Sequence, residues 1–231
     1  MKKLILSMML CALVITANAG LVAVTVTANE EAHTFLGRTV ASPDGGFECL
    51  LVAPAQEFTF ANGSVVTDLT LTMNADPDVG IEFGVRANSS ATTFTILSEV
   101  VTFGALVNPT AYASAAVTLT DKSPSGASIT GLFGGKTHQA RYNGSSVFAD
   151  LVSGFSIISG TQTNSEEYGN AFSMITINDT LTSIESEFKF TLSALDSASG
   201  TSNFVVVPEP SSIIALVGGL GSLLAFRRRR A

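Results

Sequence analysis

Val65-Val66-Thr67-Asp68-Leu69-Thr70-Leu71-Thr72-Met73 places Val65, Thr67, Leu69, Leu71 and Met73 at odd positions and Val66, Asp68, Thr70 and Thr72 at even ones. Alternate side chains of an extended chain point to opposite faces, so a period of two predicts a half-buried β-strand. The pattern returns late in the chain. There Ile184, Phe188, Phe190 and Leu192 share one face, and Glu185, Glu187, Lys189 and Thr191 share the other. The reading is one packed face and one solvated face, as in an antiparallel sheet.

Working outward, further strands are expected at Val22 to Thr27, His33 to Val40, Phe47 to Val52, Glu57 to Phe60 and Gly80 to Ala87. Others are expected at Thr92 to Phe103, Ala111 to Thr120, Thr137 to Tyr142, Val147 to Leu151 and Ala171 to Ile177. Asn62-Gly63 and Asn143-Gly144 carry the signal of type I′ hairpin turns, and Asn178-Asp179 turns the chain before Leu181. Asp44-Gly45-Gly46 and Ser123 to Gly126 read as loops, and Ser197-Ala198-Ser199-Gly200-Thr201-Ser202 as a short low-complexity linker. No window before Ser211 has a convincing helical period. Many short strands about ten residues apart predict an all-β fold, an antiparallel β-sandwich of jelly-roll type.

Composition agrees with a packed body: 46% of residues are apolar and 13% charged, too apolar for a disordered chain. Residues 20–206 hold six basic residues against eighteen acidic ones, a net charge of −12. Such a surface repels phosphate backbones, so no nucleic acid partner is expected. Outside residues 1–19, Cys49 is the sole cysteine. No intrachain disulfide can then form, and Cys49 reads as a small apolar residue.

The two ends carry an address. Lys2 and Lys3 precede the apolar run Leu4 to Thr16, and Ala17-Asn18-Ala19 forms an A-x-A cleavage site before Gly20. Residues 1–19 are therefore expected to be an export signal helix. At the other end, Val207-Pro208-Glu209-Pro210 leads through Ser211 and Ser212 into the apolar run Ile213 to Phe226, followed by Arg227, Arg228, Arg229 and Arg230. Fourteen residues of helix rise about 21 Å against a hydrocarbon core of about 30 Å. A short span of this kind relies on its basic cluster to fix the cytoplasmic end. The expected division is signal peptide 1–19, body 20–206 and anchor 207–231.

Pro-Glu-Pro, a short apolar helix and a terminal arginine cluster, in that order, resemble the PEP-CTERM sorting signal. Pro208, Glu209 and Pro210 match the recognition motif, and Arg227 to Arg230 the basic stop. The stretch from Asp68 to Pro77, continuing to Asn88 and Phe94-Thr95-Ile96, is also loosely similar to strand-turn-strand segments of sandwich proteins that carry this signal. The resemblance implies an exported bacterial protein recognised by exosortase, a membrane-embedded cysteine transpeptidase, in an organism that makes extracellular polysaccharide.

Candidates for chemistry are weaker. Thr130 to Thr137 imitates a phosphate-binding loop, but Thr130 stands where glycine is needed and the following segment looks extended rather than helical. Asn74, Asp76, Asp78 and Gly80 supply oxygen ligands in the manner of a calcium loop, yet Val79 and Val85 stand where an EF-hand needs glycine and glutamate. An Asx/Pro turn is favoured there over a loose Ca²⁺ site. Glu185 and Glu187 would sit about 7 Å apart on one strand face, a spacing that suits paired carboxylates in glycoside hydrolysis. Lys189 beside them favours an ordinary solvated face. Glu166-Glu167 reads as part of a polar loop. His33 and His138, the only histidines, have no carboxylate or cysteine at metal-ligand spacing.

The sequence thus predicts a non-enzymatic, cofactor-free surface or matrix protein. It would be exported, held in the inner membrane by its tail, cut by an exosortase-like enzyme, and displayed or released into extracellular polysaccharide. The competing expectation is a carbohydrate-binding module, or weak glycan-active enzyme, using a concave sandwich face.

Overall fold

The computed structural model describes residues 21–41, 47–53, 57–74 and 77–208, with only the backbone described at 21–22, 38–41 and 47–53. Residues 1–20 and 209–231, and with them both expected terminal helices, lie outside the described residues. What is described is all-β, with no helix. In chain order the strands are β1 (Leu21–Ala28), β2 (Glu31–Ala41), β3 (Phe47–Ala53), β4 (Phe58–Thr59), β5 (Val65–Asn74), β6 (Asp78–Arg86), β7 (Thr92–Ser98), β8 (Val101–Val107) and β9 (Thr110–Thr120). They continue as β10 (Ala127–Gly131), β11 (Lys136–Tyr142), β12 (Ser146–Ser153), β13 (Phe155–Ile157), β14 (Thr161–Tyr168), β15 (Ile175–Thr176), β16 (Thr180–Leu192) and β17 (Ser197–Val207).

These strands form two antiparallel sheets. In the first, β2 lies between β3 and β1, β1 pairs with β7, and β16 is flanked by β7 and β8 on one side and β10 and β11 on the other. The β12 and β13 segments complete its edge. The second sheet runs from β3 and β4 through β5, β6, β17 and β9 to β14 and β15. β3 belongs to both, pairing through Phe47 to Leu50 with β2 and through Leu51 to Ala53 with β5.

The interior is aromatic. Phe83 of the second sheet lies 4.8 Å from Phe188 and 5.8 Å from Phe190 of the first, centroid to centroid. Phe148 and Phe204 stack across the same space at 5.1 Å. Beside Phe83 the inward residues in the first half of β17 are small: Ala198, Gly200 and Ser202. A Cβ on Gly200 would come within 2.6 Å of Phe83 Cε1. Glycine is required at this position by the ring it receives.

The alternation in Val65 to Met73 holds from Leu69 onward, where Leu69 and Leu71 are buried. Before that the ladder slips by one residue between Val66 and Asp68, so that Val65 and Val66 are both buried. This bulge turns Thr67 and Asp68 outward together. Asn143 and Gly144 both have positive φ, as a type I′ turn requires. At Asn62-Gly63 only the glycine does, and its N–H donates to Phe60 O at 2.9 Å. That hairpin closes with a type I turn and a left-handed glycine instead.

The expected strand Thr92 to Phe103 is divided between β7 and β8, β10 and β13 were not expected, and three further segments are reassigned. Ser197 to Ser202 is not a linker but half of the central strand of the second sheet. Glu166 and Glu167 lie in strand β14 rather than a loop. Ala171 to Ile177 yields only the two-residue β15.

The interlock at Gly200 generates a direct test. Gly200→Ala should lower unfolding stability by about 1–3 kcal/mol in urea titration, because the added methyl overpacks against Phe83. Gly104→Ala, where nothing lies within 4 Å, should leave stability unchanged or raise it by up to about 1 kcal/mol.

Candidate functional site

The outer face of the second sheet carries open depressions. Register places residues side by side across five strands. One row reads Asp68, Gly84, Ser199, Thr118, Thr163; the next Thr70, Glu82, Thr201, Ala116, Ser165; the third Thr72, Gly80, Asn203, Ser114, Glu167. Small and hydroxyl-bearing residues make up the floor. The largest depression here, about 550 Å³, is bounded by Ser114, Glu167, Thr201 and Asn203. A second of about 350 Å³ lies between Asp68, Glu82 and Thr118. Hydroxyl pairs tie the rows together, Thr118 to Thr163 at 2.7 Å and Thr120 to Thr161 at 3.1 Å. In these three rows the charges are the carboxylates of Asp68, Glu82 and Glu167, and in the adjoining row Arg86 is paired with Glu57 at 3.3 Å, so the face suits an uncharged, hydroxyl-rich ligand better than an anionic one.

At one margin Glu166 bridges the open seam between the sheets. Its carboxylate accepts from Lys136 Nζ at 2.6 and 2.8 Å, and its Oε1 from the Ser153 amide at 3.1 Å. Burial alone would push its pKa up, but the Lys136 hydrogen bond, the Ser153 amide and the lysine charge together hold it below the usual glutamate value. This latch therefore supports the fold above the carboxylate range and weakens as pH falls through it.

Glu185 and Glu187 are the main correction to the sequence reading. They share the outer face of the first sheet, as expected, but that face is not solvated there. Glu185 is 6% exposed and Glu187 8%. Arg141 of the neighbouring β11 holds both, with Nε 3.2 Å from Glu185 Oε1 and one terminal nitrogen 2.8 Å from Glu187 Oε2. Burial raises the pKa of Glu187, against the lowering influence of Arg141 and Lys189. Two buried carboxylates sharing one half-buried cation form a structural ion cluster rather than an acid–base pair.

The histidines divide. His33 stacks on Phe58 at 4.0 Å. His138 is fully buried, its Nε2 2.9 Å from Ser186 Oγ, which lies 3.0 Å from Ser202 Oγ of the opposite sheet. Ser98 Oγ accepts from the Ser186 amide at 3.0 Å. Burial lowers the His138 pKa to about 3, so the ring is neutral. This histidine–serine chain is sealed from substrate because Ser186 is wholly buried. Sequence reading missed it because its members are 48 and 16 residues apart; the only available signal was the alternation that turns Ser186 inward.

The remaining candidates resolve locally. Gly131 to Lys136 closes as a tight turn, with reciprocal Phe133–Lys136 backbone bonds of 3.0 Å and Thr137 donating to Val152 O at 3.0 Å. It makes no phosphate cradle. Asn74 and Asp78 face each other at the end of the β5–β6 hairpin, and Asp76 lies outside the described residues. No group of three metal-ligating side chains occurs among the described residues. Of the residues expected to form a sorting signal, Val207 ends β17 and Pro208 follows it, exposed. Glu209, Pro210 and Arg227 to Arg230, like Ala17 and Ala19, lie outside the described residues.

No protein-family model matches the chain, and no curated protein does. Among solved structures it is similar to the enzymatically active domain of tailspike protein 4 from bacteriophage CBA120, with a TM-score of 0.30 and 10% identity over 62% of this chain. The matched region spans only 19% of that tailspike chain. It is also similar to infectious bursal disease virus, strain Gx, with a TM-score of 0.26 and 10% identity, covering 91% of this chain and 69% of that one. At such values no activity transfers.

Removing the shared cation tests the ion cluster. Arg141→Met should cost about 2–4 kcal/mol of stability at pH 7, since it leaves two buried carboxylates unpaired. Glu187 already has a raised pKa, so its contribution is present at low pH and lost as pH rises through that value. Without Arg141 the pKa rises further. The deficit relative to wild type should therefore shrink as pH is lowered into the carboxylate range, as read by denaturant titration at each pH.

Proposed function

We propose that this chain is an exported surface or extracellular-matrix protein, a jelly-roll-like β-sandwich delivered by its N-terminal signal helix and sorted through its C-terminal segment. The observation that carries this reading is where the motif begins. Val207 is the last residue of the β17 ladder, and Pro208 is exposed immediately beyond it. A processing enzyme could reach Pro208-Glu209-Pro210 without unfolding the body. The apolar run Ile213 to Phe226 would lodge in the inner membrane, with Arg227 to Arg230 on its cytoplasmic side. An exosortase-like enzyme is the proposed processing partner.

Two changes in the tail should fail in different ways. Replacing Arg227 to Arg230 with Ser should release uncut precursor, because a helix of about 21 Å loses the charge that fixes its inner end. Pro208→Ala combined with Glu209→Ala should leave precursor anchored but uncut. Fractionation followed by immunoblotting distinguishes the two outcomes; normal processing of both variants would refute the reading.

A second reading, glycan binding, is favoured by the rows of hydroxyl and carboxylate groups on the second sheet. Ala116→Arg, in the middle of the floor, should then abolish retardation of the protein in native gels containing the host's neutral polysaccharide. Equal migration of wild type with and without polysaccharide would remove this reading.

A further inference from the structure

We propose that the end of the body from which the chain leaves lies against a lipid membrane surface, with Phe172 entering it. This rests on the tail being membrane-inserted, and adds which part of the body meets the bilayer and through which residue. Val207 is fixed by pairing with Thr110, and the Val206 amide donates to Pro77 O at 2.8 Å, so the exit point is rigid. Only Pro208 to Ser212 separate it from the apolar run beginning at Ile213. Five extended residues reach at most about 18 Å. Two of the five are prolines, which stiffens the spacer. A tail lodged in the bilayer therefore holds this end of the body close to the headgroups.

That end carries an aromatic side chain that no described residue covers. Thr110 also pairs with Thr176, which brings the turn between β14 and β15 beside the exit. Phe172 stands at the tip of this turn and is 101% exposed, with Val107 at the same end 67% exposed. The turn is well defined. Asn170 and Ser173 exchange backbone bonds of 3.1 and 3.0 Å, and Asn170 Oδ1 accepts from the Phe172 amide at 3.0 Å. The ring is thus presented outward by a closed turn. The described loops at this end bear the carboxylates of Asp78 and Asp179 and no lysine or arginine. Docking would therefore draw on apolar insertion and tether length, not on attraction to anionic lipid. Ile158, 94% exposed at the opposite end of the body, supplies a matched control.

The natural chain has no tryptophan, so single-Trp variants report one site each. Phe172→Trp, Ile158→Trp and Phe226→Trp, each in the full-length chain, are reconstituted into phosphatidylcholine vesicles with brominated acyl chains. The expected result is that Phe172→Trp and Phe226→Trp shift to the blue and lose most of their emission to the brominated lipid, while Ile158→Trp keeps its emission. Quenching of Phe226→Trp without quenching of Phe172→Trp would overturn this proposal and leave the anchored tail intact. Failure of Phe226→Trp to be quenched would overturn the anchored tail itself, and this proposal with it. Equal quenching at Phe172 and Ile158 would overturn the end-on orientation. A blue shift at Phe172 with no quenching by lipid would place a second copy of the chain there instead and likewise refute the proposal.

Discussion

The fold depends on Phe83 reaching across from the second sheet to meet Phe188 and Phe190 of the first, in the space that Gly200 leaves open. With Cys49 the only cysteine outside residues 1–19, no covalent bond shares this task. Two sheets without a crosslink are held by the apolar area they hide from each other, and large rings supply the most area per residue. Two further ring pairs extend the same contact, Phe94 against Phe190 and Phe148 against Phe204. One polar chain, His138 to Ser186 to Ser202, spans the interior beside them and fixes how the sheets are aligned. Its neutrality follows from the same burial that holds the rings.

Packing large rings against small residues shapes the outer surfaces as well. The described strands of the second sheet carry mostly serine, threonine, glycine and alanine at their outward positions, leaving a shallow floor with a few carboxylates and, at its border, an Arg86 paired with Glu57. On the first sheet, the one dense cluster of charge is spent internally, because Arg141 neutralises Glu185 and Glu187. The paired glutamates that suggest chemistry in the sequence thus meet a structural counter-charge in the fold. What distinguishes this chain is instead carried by its ends, and the rigid exit at Val207 joins the body to one of them.

Much of this was legible in the sequence, for identifiable reasons. Strands with bulky inward residues, such as β6 and β16, announce themselves through alternation, since burial selects apolar side chains at every second position. Strand β17 did not, because the inward positions of its first half are Ala198, Gly200 and Ser202, with Gly200 leaving room for Phe83 of the neighbouring strand. Strand β14 was hidden for a different reason: an edge strand with mostly exposed side chains has no hydrophobic period to show. Glu185 and Glu187 were correctly assigned to the outer face, but their burial depends on Arg141, more than forty residues away, which no local pattern encodes. The serine–histidine chain is equally long-range, and the bulge at Thr67 is a local slip that strict alternation cannot anticipate.

The central claim is that this rigid body is exported and then separated from its anchor at the motif just beyond its last strand. Intact mass measurement of the mature protein from the surface or medium of its own host tests it most directly. The predicted species begins at Gly20 and ends near Pro208 to Pro210, without Arg227 to Ala231. A mature protein that still carries Arg230 and Ala231 would contradict the account and leave a plain tail anchor in its place.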